Sequence, residues 1–239
     1  MVFIYVCYRV RDRLNAFYLF KLKIFILRNR PIVKKLDAAF YQQSDVVRVA
    51  RDLLGKLLVT HWEGQRTIGR IVETEAYRGV TDKASHAYGG RRTARTEIMF
   101  AAGGVAYVYL CYGMHHLFNV VTGKQDEPYA VLLRGIEPVE GLPTMHSRTG
   151  KRTGDISLGA GPGNLARAMG IQTMHSGQSL LGDSMYIAED GFILQNSMIL
   201  ATPRIGVNYA GEDAALPYRF IIRDNLWVSK RNAFLSSKK

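Results

Sequence analysis

The sequence predicts a mixed α/β (α+β) fold, a largely antiparallel sheet with flanking helices. Strand-like apolar segments outnumber helix-like ones. No regular strand–helix alternation marks a parallel, doubly wound sheet, and short glycine turns join neighbouring strands as in hairpins.

The elements follow in chain order. Ser44-Asp45 reads as a helix start, with Val46, Val49, Ala50, Leu53, Leu54 and Leu57 recurring at helical spacing and Gly55 near the end. A strand over 57–61 and a Glu63-Gly64-Gln65 turn lead into a long strand, Thr67 to Tyr77. Residues 78–97 are polar and rich in Gly and Arg, as a loop is, and Gly103-Gly104 is a turn. Val105 to Tyr112 and Phe118 to Val121 read as strands joined by Gly113-Met114-His115-His116, and Tyr129 to Ile136 as an apolar strand interrupted by Arg134. Gly161-Pro162-Gly163-Asn164 opens a helix that stops near Gly170, with proline and glycine placed as helix ends require. Further strands are expected at 185–188, 204–207 and 218–222.

Length and composition are those of an ordinary globular protein of one large or two small domains: 239 residues, 47% apolar, 22% charged. The formal charge of +12 favours an anionic partner. That charge is uneven. Residues 1–35 carry nine Lys/Arg against Asp12 alone, whereas the remainder holds 23 basic and 19 acidic side chains. The rest of the chain is only mildly basic, so a nucleic-acid argument must rest on local patches. The first 35 residues alternate apolar runs with basic residues. None of the runs reaches the roughly 20 residues of a bilayer span, and the charges follow the apolar start, the reverse of a signal peptide. A basic amphipathic helix and an appended segment outside the working domain both fit; we adopt the second, with no stable membrane partner. Cys7 and Cys111 are too few and too far apart for a disulfide framework or a metal cluster, and indicate reduced thiols in the cytoplasm.

The chemistry concentrates in Arg70-Ile-Val-Glu-Thr-Glu-Ala-Tyr77. In a strand Glu73, Glu75 and Tyr77 share one face, and carboxylates on an apolar strand are costly unless paired, solvated or used. Either glutamate can activate water and offset positive charge on a sugar; either can also pair with an arginine. Arg134, inside Val131-Leu-Leu-Arg-Gly-Ile136, needs a buried partner, for which Glu73 or Glu75 is the candidate. Tyr107 and Tyr109 share a strand face, while Tyr112 ends the strand: core residues, or rings that stack a purine. Arg91, Arg92 and Arg95 can grip phosphates or line a solvated loop. His86, Glu73, Glu75 and Asp82 can ligate a metal in principle, but no ligand spacing supports one. No phosphate-binding loop, dinucleotide fingerprint or nucleophile elbow is present.

Together these segments resemble the alkyladenine (3-methyladenine) DNA glycosylase family of base-excision repair. The resemblance runs from about Leu36 to Ser229. It is carried by 69–77, His86 to Thr93, Tyr107 to Met114, Val131 to Pro138, Leu158 to Leu165 and Pro203 to Val207. It implies a single domain around a curved, mainly antiparallel sheet, at residues 36–232, with 1–35 as an extension and 233–239 as a tail. It implies Glu75 as the base that activates water, with Arg134 and the Ile205 carbonyl helping to hold that water. Tyr77, His86 and Tyr109 match the rings that sandwich an extruded base, Tyr112 the wedge that enters the duplex, and Asn119 the group that disfavours guanine. The expected activity is monofunctional hydrolysis of the N-glycosidic bond of 3-methyladenine-class purines, with 7-methylguanine and hypoxanthine as further candidates. No cofactor or metal is implied. The partner is double-stranded DNA containing alkylated bases, and the protein is expected to be a monomer in the cytoplasm, associated with the nucleoid. A non-catalytic module that binds damaged nucleic acid is the alternative.

Overall fold

The computed structural model describes residues 33–229. The basic extension, except for its last residues, and the C-terminal tail lie outside the described residues. Among the described residues nine strands form one sheet: β1 (Lys34–Lys35), β2 (Leu57–Trp62), β3 (Gln65–Tyr77), β4 (Ala106–Cys111), β5 (His115–Thr122), β6 (Tyr129–Glu140), β7 (Met185–Glu189), β8 (Ile199–Thr202) and β9 (Arg219–Ile222). The order is β1-β7-β2-β3-β6-β5-β4, with β9 paired to both β3 and β8, and every pair is antiparallel. The mixed, mainly antiparallel α+β architecture is therefore the one expected.

The pivot is β3. Its first half pairs with β2, from Leu57 opposite Arg70 to Trp62 opposite Gln65. Its second half pairs with β9, with Glu73 opposite Ile221 and Glu75 opposite Arg219. The strand thus changes partner at the point where its carboxylates begin, while β6 runs along its other edge. Glycine and the bulges of β3 against β6 mark this region: Gly135 lies so close that a Cβ there would meet the Trp227 carbonyl at 2.8 Å.

Helix α1 (Ala38–Tyr41) starts at Asp37, whose carboxylate accepts from Phe40 N. Helix α2 (Val46–Asp52) starts at Asp45, which accepts from Arg48 N at 3.1 Å, a side-chain cap of one orphan helix donor. Its buried Val46, Val49 and Ala50 continue the expected periodicity, but Gly55 at φ +81° ends the turn and Leu57 belongs to β2. Helix α3 (Leu142–Thr149) was not evident from the sequence, because its only buried residues are Met145 and Thr149 and the apolar period is weak. Helix α4 (Pro162–Met169) begins and ends where Pro162 and Gly170 indicate.

One expected strand is corrected. Residues 204–207 are irregular, and the strand lies earlier, at β8. Pro203 has no N–H for a ladder, and Gly206 at φ +80° turns the chain away. The loop at 78–97 is also more ordered than its composition suggests. It contains short 3-10 turns at Gly79–Thr81 and Tyr88–Gly90 and buries Asp82, Ala84, Ser85 and Ala87.

Candidate active site

Glu73, Glu75 and Arg134 are all buried, and they form one charge network. Arg134 Nε donates to Glu73 Oε1 at 3.0 Å, and Nη1 donates to Glu75 Oε2 at 3.3 Å. The aim of the guanidinium has a backbone cause. Leu133 lies opposite Thr74 and Gly135 opposite Glu73, so Arg134 is an extra residue in β6, a bulge that redirects its side chain. Burial works against the Arg134 charge, but the Glu75 and Glu73 carboxylates outweigh it and raise its pKa above the ordinary arginine value.

The two glutamates then diverge. Glu73 is saturated by structure: its carboxylate also accepts from Arg219 Nε at 2.7 Å, Ser229 N at 2.7 Å and Ser229 Oγ at 2.8 Å. It ties β3 to β9 and to the end of the described chain. Glu75 instead accepts from groups that face a cavity: Ile205 N at 2.7 Å, Tyr77 Oη at 2.9 Å and Arg134. Its own side chain has no exposure and stands behind these three residues, not in the cavity wall. The Ile205 contact seen here is through its N–H. Burial, then the Glu75 charge, raise the Tyr77 phenol well above its ordinary pKa and keep it a donor.

The cavity has a volume of about 480 Å³, the size of a small-ligand site. Tyr77, His86, Tyr109 and Asn119 line it, from four separate segments, as do Tyr112, Arg134 and Ile205. The His86 ring stands edge-on to Tyr109, with centroids 4.7 Å apart at 73°. Its Nδ1 lies 2.9 Å from Tyr107 Oη. Burial, then Arg95 and Arg91, lower the His86 pKa to about 4, so the imidazole is neutral at pH 7. Asn119 Nδ2 donates to the Tyr107 and Leu117 carbonyls at 3.1 and 3.5 Å, which fixes the amide in the cavity floor.

Tyr112 sits at the tip of the β4–β5 hairpin, 89% exposed, with φ +50° followed by Gly113 at φ +69°. A bulky aromatic in the left-handed region costs about 1–2 kcal/mol. Strain of this kind on an exposed ring, at the mouth of a cavity, makes Tyr112 a candidate functional position.

The three loop arginines separate. Arg95 lines the cavity and lies over the Tyr109 ring, 4.8 Å from its centroid. Arg91 lines an adjoining basic cavity that also contains Arg95 and Lys83. Arg92 is committed elsewhere, to Glu97 at 2.7 Å and Asp126 at 2.9 Å. Asp82, considered above as a metal ligand, is paired with buried Arg204. Among the described residues, no three His, Cys, Asp or Glu side chains converge as a metal site.

The sequence reading missed Arg204 and Arg219 as parts of the site. Arg204 donates to the Ala76 carbonyl at 2.8 Å and to Asp82, and stacks over Tyr77 4.9 Å from its centroid, so it buttresses that ring. For Arg219, before Phe220-Ile221-Ile222, a lone arginine inside an apolar run was the available signal, as it was for Arg134; Arg204, after Thr202-Pro203, carried no such signal. Tyr209, 70% exposed, also lines the cavity and is unmarked by any pattern.

Residues 39–226 match the family model of methylpurine-DNA glycosylase. The chain is 43% identical over 205 residues to a Desulfitobacterium hafniense protein, covering 82% of this chain and 99% of that one. It is 46% identical over 196 residues to a Natranaerobius thermophilus protein, covering 82% and 98%. It is also 46% identical over 188 residues to a Chlamydia abortus protein, covering 78% and 97%. All three relatives are provisionally named 3-methyladenine DNA glycosylases.

Proposed function

This chain belongs to the methylpurine-DNA glycosylase family of DNA glycosylases, and from that premise we propose that it extrudes alkylated purines from duplex DNA and hydrolyses their N-glycosidic bond. The observation that carries this reading is the position of the Glu75 carboxylate, held by Tyr77, Arg134 and Ile205 directly behind an aromatic cavity.

A base inside a duplex cannot reach such a cavity unless its nucleotide rotates out. Tyr112 is built to fill the vacated place: it is large, exposed and held at a hairpin tip. Flipping costs a few kcal/mol, and less where damage has weakened pairing or stacking. Alkylation at N3 or N7 leaves a cationic purine, which stacks favourably on the electron-rich rings of Tyr77 and Tyr109. A neutral His86 adds a third ring without repelling that cation. Asn119, fixed in the floor, opposes the exocyclic amine of guanine.

Glu75 then takes a proton from water as its oxygen attacks C1′, and its charge offsets the cation developing on the sugar. Arg134 and the Ile205 carbonyl hold the water, and the bond between Ile205 N–H and Glu75 keeps that backbone beside the carboxylate. The purine leaves as the free base, and an abasic site remains. Strand cleavage is not expected: it needs an amine to form a Schiff base with the sugar, and Lys83 lines the adjoining cavity and not the base cavity. Candidate substrates are 3-methyladenine, 7-methylguanine and hypoxanthine.

The test is incubation with a methylated duplex, followed by assay of free base and alkali-labile sites, for the wild type and Glu75→Gln. The variant should lose roughly 10²- to 10⁴-fold in single-turnover rate, the range for loss of a general base, while still binding the damaged duplex. Wild-type turnover by Glu75→Gln would remove Glu75 from this role. Binding with no base release by the wild type would favour a non-catalytic module.

A further inference from the structure

We propose that a groove on the opposite shoulder of the Tyr112 hairpin receives the sugar–phosphate backbone of duplex flanking the lesion, with Arg148 and Arg167 as its phosphate contacts. The inference rests on the glycosylase reading above and extends it to a second surface.

The hairpin serves two cavities. Tyr112 and Leu117 line the base cavity, whereas Met114, His115 and His116 line a separate groove of about 870 Å³. The groove's other wall is built by Arg148 of α3, Arg167 of α4 and the Thr173–His175 turn. Trp62 closes one side, its ring stacked on His175 at 4.3 Å and 8° and fixed by a 2.9 Å bond from Nε1 to the Met169 carbonyl. The surface is continuous with the wedge: Met114, 71% exposed, is two residues from Tyr112.

Its positive charge is only partly compensated. Among the described residues of the lining, Glu63 is the one that is acidic. Arg70, Arg92, Arg134, Arg204 and Arg219 each have a carboxylate partner. Among the described residues, neither Arg148 nor Arg167 has one within 4.0 Å. Their bonds are to uncharged acceptors: Arg148 Nη1 to Thr67 Oγ1 and the Ala168 carbonyl, and Arg167 Nε to the Arg148 carbonyl at 2.9 Å. These bonds hold both side chains at the groove. Burial lowers the Arg148 pKa, and Glu63 opposes this only from a distance. A partly desolvated cation with no carboxylate in contact is stabilised by an incoming anion. A wedge inside a duplex brings phosphates across both shoulders of its hairpin, so the anion that fits is the backbone beside the extruded nucleotide.

The experiment measures binding of duplexes carrying one methylated purine, as a function of salt, by fluorescence anisotropy. Wild type, Arg167→Gln and the double variant Arg148→Lys/Arg167→Gln are compared, with thermal melts to establish that each is folded. Duplexes are full length or shortened on one side of the lesion or the other. Arg167→Gln should reduce the slope of log K against log salt by about one, the value for one lost phosphate contact. That effect should vanish when one particular flank is removed and persist when the other is. Wild-type salt slopes for both variants on every duplex would overturn the proposal, as would a loss indifferent to which flank is removed. Base release by the wild type is followed in parallel, so failure of the glycosylase reading is scored separately from failure of the groove.

Discussion

Tyr77 Oη donates a 2.9 Å hydrogen bond to Glu75 Oε2, two residues back along the same strand. The ring proposed to clasp the base and the carboxylate proposed to activate water are therefore one unit, set by the two-residue period of β3.

Tyr77→Phe separates those two roles. The ring remains and the donor is lost. A hydrogen bond to a charged group contributes about 1.5–3 kcal/mol, so the single-turnover rate should fall roughly 10- to 100-fold, with little change in affinity for a methylated duplex. A loss of affinity with an unchanged single-turnover rate would show that the hydroxyl acts in binding and not in the chemical step.

Glu73→Ala should act on stability first. Glu73 neutralises Arg134 and Arg219 and anchors Ser229. Removing one partner from a buried ionic cluster costs about 3–5 kcal/mol, which denaturant melts will detect. A loss below about 1 kcal/mol would mean that the cluster is held by other contacts.

His86 has a pKa of about 4 against an ordinary 6.5. Between these values the unfolded chain binds a proton that the folded one refuses, so stability rises with pH across this window. The contribution present above pH 6.5 is lost as pH falls to 4. His86→Gln should flatten the melting temperature across pH 4–6.5; an unaltered pH profile would assign the dependence to other groups.

Tyr112→Gly tests strain against function. Glycine relieves the roughly 1–2 kcal/mol cost of a left-handed tyrosine, partly offset by the ~0.5–1 kcal/mol of its greater freedom when unfolded. The melting temperature should hold or rise slightly while base excision drops. Normal excision by this variant would end the wedge assignment.

The residues proposed to do chemistry could be read from the linear order because each was locally improbable: two carboxylates at strand spacing, an arginine in an apolar run, tyrosines crowded before a glycine turn. Helical spacing marked α2, apolar runs marked β2, β3 and β6, and proline and glycine marked the ends of α4, since burial and helix termini make demands on neighbours in the chain. The family resemblance pointed to Glu75, but only the tertiary structure gives the physical difference between the two glutamates. Glu73 and Glu75 are equivalent by spacing, and they differ only because β9 and Ser229 reach one while the Ile205 backbone reaches the other. It decided the fate of the loop arginines in the same way, by bringing Asp126 to Arg92 and the Tyr109 ring to Arg95. It also set the aim of Arg134, which depends on a bulge between β3 and β6. Such outcomes depend on partners tens of residues away, and a local pattern records what a residue needs, not which distant group supplies it.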